Sequence, residues 1–548
     1  MLRPKSTSLL VASLLAACGG GGGGGDTAGV CVPASSGTAA SAAAAVGAPV
    51  PKEVSENIGA IGAPAVYADS NSVAPGETIG FHAAVIGTNP GDIYLQIRRI
   101  ERSDWIVARD IASVAGRNPP DNGWEDCCDW PRTLGFRIPD DWQSGLYVAR
   151  FSTRSGVSEV FFVVRAKVPG TSRIVVSVPM TTAYAYNDWG GKSVYDYSSS
   201  SSIKARKLSM SRPFSGRSRD KFTSWLPPFI EWARDEGIAL EFIANTDLHQ
   251  RPGILDPYHL FVTVGHDEYW SAEMRGELER HLDAGGNAAL FSGNNMWWKI
   301  RFEDPGPLTP LGRMLVDKDD RFTEGVDDPA AHEGHWYVVD PEPRLLGAGY
   351  ARGGWREDPN GDMPGFAVQD PSHWVFAGTG LDKDDTFGAS NMIISFESDG
   401  ADFTWENRDG VRRPVPTHTD GTPPGLKILA LAQLGHGWKN DFSRAGDTYR
   451  AGKSMYSGEP GAWTTMVIYQ HEGGGKVFNA ATVDWAFGLS SCDGPTPDAE
   501  CIITRNVIDE LRVASKGAPG PAPAPAPVPA PAPAPVPAPG PAPAPAPG

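Results

Sequence analysis

Hydrophobic and polar residues alternate along short segments between residues 58 and 168. Ile93-Tyr94-Leu95-Gln96-Ile97 alternates residue by residue, and Leu146–Phe151 and Val157–Val164 are further apolar runs after polar turns. A period of two residues places the apolar side chains on one face of a β-strand. Short strands at regular spacing, without a helical period, predict an immunoglobulin-like β-sandwich over residues 58–168.

The pattern changes near Arg173 to continuous apolar strands that are separated by helical segments. Four such strands are predicted, at Ile174–Val178, Ala239–Ile243, His259–Val264 and Ala288–Phe291. One helix is expected to begin near Pro227 and to end at Gly237, and another follows Ser271 as its N-cap. Strands that alternate with helices predict a parallel sheet with right-handed crossovers.

Beyond Lys299 the pattern is less regular, with many short strands and Gly/Asp turns. Trp463–Tyr469 and Lys476–Asp484 are predicted strands, and Thr504–Val513 is a predicted closing helix. Residues 317–320 and 382–385 both read Asp-Lys-Asp-Asp, which lacks the EF-hand spacing and predicts solvated turns. We therefore expect residues 173–513 to form one α/β domain with a β-rich extension.

Both ends of the chain differ in composition from the part between them. Residues 1–17 combine two basic residues with the short apolar stretch Leu9–Leu15, which is typical of a bacterial export signal. Leu15-Ala16-Ala17-Cys18 resembles a lipobox, which implies lipidation of Cys18, and Gly19 favours the outer membrane. A plain secretory signal is the alternative. Residues 18–57, rich in Gly, Ala and Ser, predict a flexible tether, and residues 516–548 predict a disordered Pro/Ala tail.

Composition and charge exclude several classes of function. The chain has 548 residues and a net charge of −17, from 48 Lys and Arg against 65 Asp and Glu. An acidic surface repels phosphate backbones, so we do not expect a nucleic-acid partner. The sequence contains no P-loop, G-x-S-x-G or H-E-x-x-H motif, so nucleotide binding, a serine-hydrolase elbow and a zinc-protease site are unsupported.

Six cysteines are compatible with an exported protein. Cys492 and Cys501 flank a loop rich in Pro, Gly and Asp, and we predict a disulfide between them. Neighbouring cysteines rarely bond each other, so one of Cys127 and Cys128 is expected to pair with Cys31 instead.

Polar and aromatic clusters follow three of the four predicted parallel strands. In chain order they contain Tyr186, Asn187 and Trp189; His266, Asp267, Glu268 and Tyr269; and Asn294, Asn295 and Trp297. The carboxyl ends of parallel strands meet at one edge of a sheet, where ligands bind. Loops there do not need aromatic and carboxylate residues in order to fold, so the clusters predict a functional site.

The residue types in these clusters suggest roles. His266 or Glu268 is expected to transfer protons, Asn294 to polarise a carbonyl group, and Tyr269 to bind a hard metal ion. The residues expected to contact a substrate are Tyr186, Asn187, Trp189, Asn295 and Trp297. In the alternative interpretation, Asp267 or Glu268 only accepts hydrogen bonds at a helix N-terminus, and the aromatic residues only pack.

Several segments resemble the C-terminal domain of the large subunit of N,N-dimethylformamidase. The resembling segments are Ala185–Ser193, Leu208–Pro213, Gly265–Ser271, Gly293–Asn295, His373–Gly380 and Gly474–Leu489. The resemblance spans Arg173 to Leu511 and implies a class I glutamine amidotransferase-like α/β fold with a flavodoxin-like parallel sheet. It also implies hydrolysis of a small amide by a catalytic carboxylate and a mononuclear iron, which two tyrosines and one glutamate hold.

One iron ligand carries over from this resemblance, Tyr269. The second tyrosine is expected on the helix before the second strand, where Pro227–Trp232 contains none. The glutamate is expected before Gly353-Gly354-Trp355-Arg356, where Tyr350-Ala351-Arg352 contains none. The sequence therefore predicts an altered or absent iron site.

The leading hypothesis is a lipid-anchored extracytoplasmic hydrolase that acts on a C–N amide bond of a small molecule. The alternative is a non-catalytic cell-surface protein that binds a ligand or carbohydrate and has lost the iron site. A third hypothesis is a carbohydrate-active enzyme that uses Asp267 or Glu268 with a second carboxylate. The expected partners are the membrane, through the lipid, and a small ligand; a small partner subunit is left open.

Overall fold

A computed structural model describes residues 60–306, 311–318, 334–439, 462–492, 494 and 496–513. The predicted export signal, Cys18, Cys31, the tether and the Pro/Ala tail lie outside these residues. Within them, no helix has the length and apolar character needed to cross a membrane.

Residues 64–164 form two β-sheets that share one core. The strands are β1 (Pro64–Ala68), β2 (Ser72–Val73), β3 (Thr78–Ile86), β4 (Gly91–Arg99), β5 (Val107–Val114), β6 (Gly116–Arg117), β7 (Leu134–Arg137), β8 (Gly145–Ser152) and β9 (Val157–Val164). One sheet has the order β1-β3-β6 with β7 on β3, and the other β2-β9-β8-β4-β5. On β4, Ile93, Leu95 and Ile97 are buried and Tyr94 is exposed. A β-sandwich is therefore present, and its immunoglobulin-like character stays a prediction.

The remaining strands and helices follow in chain order. The strands are β10 (Ile174–Val178), β11 (Lys207–Ser209), β12 (Glu241–Ala244), β13 (Leu260–His266), β14 (Tyr269–Ser271), β15 (Asn287–Gly293), β16 (Trp298–Glu303), β17 (Arg313–Leu315), β18 (Gly334–His335), β19 (Gly349–Arg356), β20 (Phe366–Val368), β21 (Thr386–Phe387), β22 (Glu397–Gly400), β23 (Phe403–Arg408), β24 (Val411–Pro416), β25 (Lys427–Gln433), β26 (Trp438–Lys439), β27 (Trp463–Gln470) and β28 (Lys476–Asn479). The helices are α1 (Met180–Tyr186), α2 (Gly216–Thr223), α3 (Leu226–Asp235), α4 (Asn245–Gln250), α5 (Ala272–Asp283), α6 (Trp336–Val339), α7 (Pro343–Leu346) and α8 (Ala499–Leu511).

The largest sheet has nine strands in the order β12-β10-β13-β15-β28-β27-β25-β20-β21. The four strands predicted after Arg173 are neighbours in it and pair in parallel. Its other half, from β28 to β21, is antiparallel. Smaller sheets with the orders β11-β17-β16-β14, β22-β19-β26 and β23-β24 lie beside it.

The predicted fold class, a class I glutamine amidotransferase-like fold with a flavodoxin-like parallel sheet, is wrong. Helices make up only 19% of the described residues, and most strands belong to mixed or antiparallel sheets. The error arose after Lys299, where irregular strands were assigned to an extension although several of them complete the main sheet. A short turn joins β27 to β28, and such a turn can only connect antiparallel neighbours.

Local signals for helix ends are confirmed where they were strongest. Helix α3 begins at Leu226 with prolines in its first turn, and Ser271 Oγ accepts a hydrogen bond from the Met274 N–H at 3.3 Å at the start of α5. Helix α8 begins at Ala499, five residues before the predicted Thr504. The predicted disulfide between Cys492 and Cys501 is present and links the first turn of α8 to the segment before it.

The other two described cysteines, Cys127 and Cys128, are buried in one cluster with Trp130 and Trp189. The predicted partner Cys31 lies outside the described residues, so its pairing with one of them stays a prediction.

Candidate active site

The loops after three neighbouring parallel strands bring polar side chains together. Strand β10 leads into α1, which ends at Tyr186; β13 ends at His266; and Asn294 follows β15. These strands are adjacent in the sheet, so the three residues share one edge of it. All three side chains are buried. The structure therefore places these three predicted residues together at this edge, and their roles stay predictions.

His266 Nε2 is the centre of the cluster. It lies 3.1 Å from Tyr186 Oη, 3.2 Å from Glu268 Oε2 and 3.1 Å from Glu397 Oε2. Its other ring nitrogen, Nδ1, has no hydrogen-bond partner among the described residues. The imidazole thus stands between two carboxyl groups that come from distant parts of the chain.

Glu268 is the carboxylate with the most polar contacts. Trp298 Nε1 donates to its Oε1 at 2.8 Å, Tyr195 Oη donates to its Oε2 at 3.1 Å, and Lys318 Nζ lies 3.6 Å from Oε1. Burial alone would raise the pKa of Glu268, but the positive charge of Lys318 and the hydrogen bond from His266 hold it well below its usual range. Glu268 is therefore ionised at neutral pH.

Glu397, the first residue of β22, has the opposite tendency. Burial and the negative charge of Glu268 raise its pKa above the ordinary value, although His266 acts against this. Asn294 Nδ2 donates to Glu397 Oε2 at 2.9 Å, so this amide positions the carboxyl group. Two neighbouring carboxyl groups whose environments push their pKa values apart can act as acid and base in one reaction.

Three phenols surround Glu268. Tyr186 Oη lies 3.3 Å and Tyr195 Oη 3.1 Å from Glu268 Oε2, and Tyr269 Oη is 2.7 Å from Tyr195 Oη. Burial and the charge of Glu268 raise the pKa of each phenol well above its ordinary value. A cation bound beside these oxygens would reverse that effect, because it stabilises phenolates.

Two lysines add positive charge to the cluster. Lys318 Nζ donates to Tyr269 Oη at 2.9 Å, and Lys221 Nζ lies 3.7 Å from the ring centre of Tyr186. Burial lowers the pKa of Lys221. The predicted solvated turn at residues 317–320 is wrong for Lys318, whose side chain is only 8% exposed.

The sequence that forms this cluster matches a known protein family. Residues 98–498 match the family described as N,N-dimethylformamidase beta subunit-like, C-terminal. The chain belongs to this family. The match begins in β4, inside the sandwich and earlier than the resemblance that starts at Arg173, and it contains the whole cluster. No curated protein sequence matches the chain.

At the level of the dimethylformamidase-like family, the match supports a hydrolase-like function. The polar cluster agrees with such chemistry because two carboxyl groups, one with a lowered and one with a raised pKa, lie on either side of an imidazole.

Three residues that were expected to contact a substrate make structural contacts within the protein. Asn187 Nδ2 donates to the backbone oxygen of Pro213 at 2.9 Å and so fixes a loop. Trp189 packs edge-on against Trp130, and Trp297 is 1% exposed within an aromatic cluster. Their contacts with a substrate stay a prediction.

Asn295 and Asp399 shape the turn that carries Asn294. The Asp399 carboxylate accepts hydrogen bonds from the Asn294 N–H at 2.8 Å and from Asn295 Nδ2 at 3.1 Å. Asn294 has φ 47°, a left-handed conformation that asparagine tolerates better than most residues. Asn295 is therefore a positioning residue. The Asp267 carboxylate accepts hydrogen bonds from Thr263 Oγ1 and Asn245 Nδ2, both at 3.0 Å.

The sequence analysis missed Tyr195, Lys221, Lys318 and Glu397. A signal for Glu397 was available: Glu397 and Asp399 are two residues apart, directly after the apolar residues Ile393, Ile394 and Phe396. Residues at that spacing share one face of a strand. An acidic pair on one face of a buried strand favours a site.

Three buried aspartates are expected to lower the free energy of unfolding as the pH rises from about 4 to 7. Burial raises the pKa of Asp399 to about 7 and that of Asp267 and Asp484 to about 6, from 3.8. Between these values the unfolded state has lost a proton that the folded state keeps, so rising pH favours unfolding. Urea denaturation at pH 5 and pH 7 measures this slope. Asp399→Asn should flatten it and the exposed Asp382→Asn should not; equal slopes in all three proteins would contradict the account.

Proposed function

We propose that the protein hydrolyses the C–N bond of a small amide. The observation that carries this proposal is the pair Glu268 and Glu397, which flank His266 Nε2 with their pKa values pushed apart. Amide hydrolysis requires a proton to leave the attacking water and a proton to reach the departing nitrogen. One carboxyl group can do both in turn.

Glu397 is the carboxyl group suited to this proton transfer. Its raised pKa brings proton exchange closer to neutral pH, and Asn294 holds its Oε2. As a carboxylate it accepts the proton of water while the water oxygen bonds to the amide carbon. As a carboxylic acid it then gives that proton to nitrogen as the C–N bond breaks, so the products are a carboxylic acid and an amine.

We also propose that Glu268, Tyr186 and Tyr195 are able to hold the iron that the family resemblance implies. Among the described residues, no group of three or more His, Cys, Asp or Glu side chains has the geometry of a metal site, so a metal here depends on phenol oxygens. Two phenols lie within 3.3 Å of the Glu268 carboxylate, which fits a donor set of two tyrosines and one glutamate. Bound iron supplies Lewis acidity toward the amide carbonyl.

Metal analysis and visible absorption test this assignment on exported protein that lacks residues 1–18. We expect near-stoichiometric iron and a tyrosinate-to-iron charge-transfer band. Tyr195→Phe should weaken or shift the band, whereas Tyr94→Phe, on the sandwich, should leave it unchanged. Wild-type protein with neither iron nor the band would contradict the assignment.

The hydrolase proposal is tested separately, by turnover. Purified protein is incubated with formamides, acetamides and their N-methylated forms, and released amine is quantified. Amine release by the wild type supports the proposal. Saturable binding of an amide without amine release would overturn the hydrolase proposal and would favour the alternative of a non-catalytic binding protein.

We further propose that the chain acts outside the cytoplasm, anchored through lipid on Cys18 in the outer membrane. The Cys492–Cys501 disulfide supports export, since disulfides persist in oxidising compartments. The lipobox resemblance at residues 15–18 supports the anchor.

A further inference from the structure

A cavity lies where the sandwich meets the main sheet, and we call it the interdomain groove. Its volume is about 740 Å³, within the range of small-molecule sites. Glu241, at the start of β12, lines the groove. It pairs with Val175 of β10, which pairs on its other side with Phe261 of β13. His266 is five residues further along β13, so the groove and the polar cluster are about 16 Å apart along the strands.

The walls of the interdomain groove are fixed to each other. Ser144 Oγ, from the sandwich, accepts a hydrogen bond from the Phe242 N–H of β12 at 2.8 Å. The apolar lining comes from both parts and includes Trp142, Ile238 and Leu240. Sugar rings have apolar C–H faces that pack on such surfaces, particularly on aromatic rings.

Basic side chains outnumber acidic ones in the lining of the interdomain groove. The basic residues are Arg99, Arg102, Lys167 and Arg234, and the acidic residues are Glu101 and Glu241. The Glu241 carboxylate already accepts hydrogen bonds from the Gly170 and Ser172 N–H groups, at 2.9 and 2.7 Å. Each basic group also pairs with an acidic side chain, so the groove offers a ligand guanidinium and ammonium donors rather than an excess of positive charge. Carboxylate and phosphate oxygens accept hydrogen bonds from such donors.

The basic groups remain accessible to a ligand. Arg102 pairs with Asp104, Arg234 with its neighbour Asp235, and Lys167 with Asp140, through side chains that are about half exposed. Exposed ion pairs of this kind contribute little free energy. An anionic ligand can therefore displace or share these contacts at small cost.

Glu101 adds a second, independent requirement. Its side chain is 4% exposed, and Arg99 Nε lies 2.9 Å from its Oε1. Its Oε2 is buried and has no hydrogen-bond partner within the described part of the chain. Buried acceptors are almost always paired, so the groove calls for a ligand with a hydrogen-bond donor such as a hydroxyl group.

We propose that the interdomain groove binds an acidic saccharide. The negative group of the sugar contacts Arg102, Arg234 and Lys167, a hydroxyl group donates to Glu101 Oε2, and the apolar face of the ring packs on Trp142. Carboxylate and phosphate both fit this chemistry. The groove is separate from the amide-hydrolysing cluster and does not depend on that activity.

Calorimetric titration of the exported protein with three sugars tests the proposal. Trigalacturonate carries carboxylates, mannose 6-phosphate carries phosphate, and maltotriose is neutral. At least one acidic sugar should bind tenfold or more tightly than maltotriose, and its affinity should fall as NaCl is raised. Binding of only one of the two identifies the acidic group. No saturable binding of either, or equal binding of maltotriose, would overturn the proposal.

Variants locate the binding. Arg102→Gln with Arg234→Gln changes two exposed side chains and should weaken acidic-sugar binding at least tenfold. The matched control is Arg408→Gln with Arg412→Gln on the exposed β23-β24 hairpin, which should bind as the wild type does. Unchanged binding in the first pair, or equal loss in the control pair, would place the sugar elsewhere and refute the groove.

Discussion

Replacing Glu397 with glutamine is expected to reduce amide turnover by about 10²–10⁴-fold, the usual contribution of a positioned general acid or base. Glutamine keeps the shape of the side chain and can still accept the hydrogen bond that Asn294 Nδ2 donates at 2.9 Å. It cannot carry a proton between water and the leaving nitrogen. The loss should therefore fall on kcat, with KM changing little.

The matched control for this variant is Glu406→Gln, on the exposed β23-β24 hairpin. Steady-state kinetics of wild type and both variants, on an amide that the wild type hydrolyses, give the comparison. If Glu397→Gln keeps turnover within threefold of the wild type, Glu397 is not the residue that transfers the proton. Equal loss in Glu406→Gln would mean that the effect is not local.

Arg212→Met is expected to lower the free energy of unfolding by about 3–5 kcal/mol. Arg212 is 1% exposed, and its guanidinium donates to four backbone oxygens, those of Tyr184, Asn187, Trp189 and Lys192, at 2.9–3.2 Å. Methionine fills a similar volume but removes all four of these hydrogen bonds, and of the four oxygens Tyr184 O still accepts from the Asn187 N–H. The residues Arg212 holds flank Tyr186, so activity should also fall.

Urea denaturation at pH 7 measures this loss. Arg217→Met is the matched control, because Arg217 is half exposed, pairs with Asp188 and lies over the Tyr197 ring, so its loss should cost less than about 1 kcal/mol. Similar values for the two variants would show that the four buried contacts contribute no more than a surface ion pair does.

Local patterns in the sequence predicted local structure well. Burial of Ile93, Leu95 and Ile97 follows their period of two, and Ser271 caps α5 as its position before Glu273 suggested. The main sheet could not be read in the same way. Its antiparallel half depends on pairings such as β25 with β27, and short strands of irregular pattern carry no signal for their partners.

In the candidate site too, residues close together in the sequence were predicted, and a residue from a distant segment was missed. His266, Glu268 and Tyr269 were found because they follow one buried strand directly. Glu397 lies 103 residues after Asn294 in the sequence, and only the folded chain brings it to His266. Iron ligands sought by position in the sequence gave Tyr269 alone, whereas the oxygen atoms that we propose as donors, those of Tyr186, Tyr195 and Glu268, are brought together only by the fold.

The central claim is that water attacks an amide carbonyl in the cluster around His266. Turnover of a hydrolysable amide in water enriched with ¹⁸O, followed by mass spectrometry of the products, tests this most directly. The account predicts one ¹⁸O atom in the carboxylic acid for each amine released, and no such product from the Glu397→Gln protein over the same time. Saturable amide binding with no labelled acid from the wild type would contradict it.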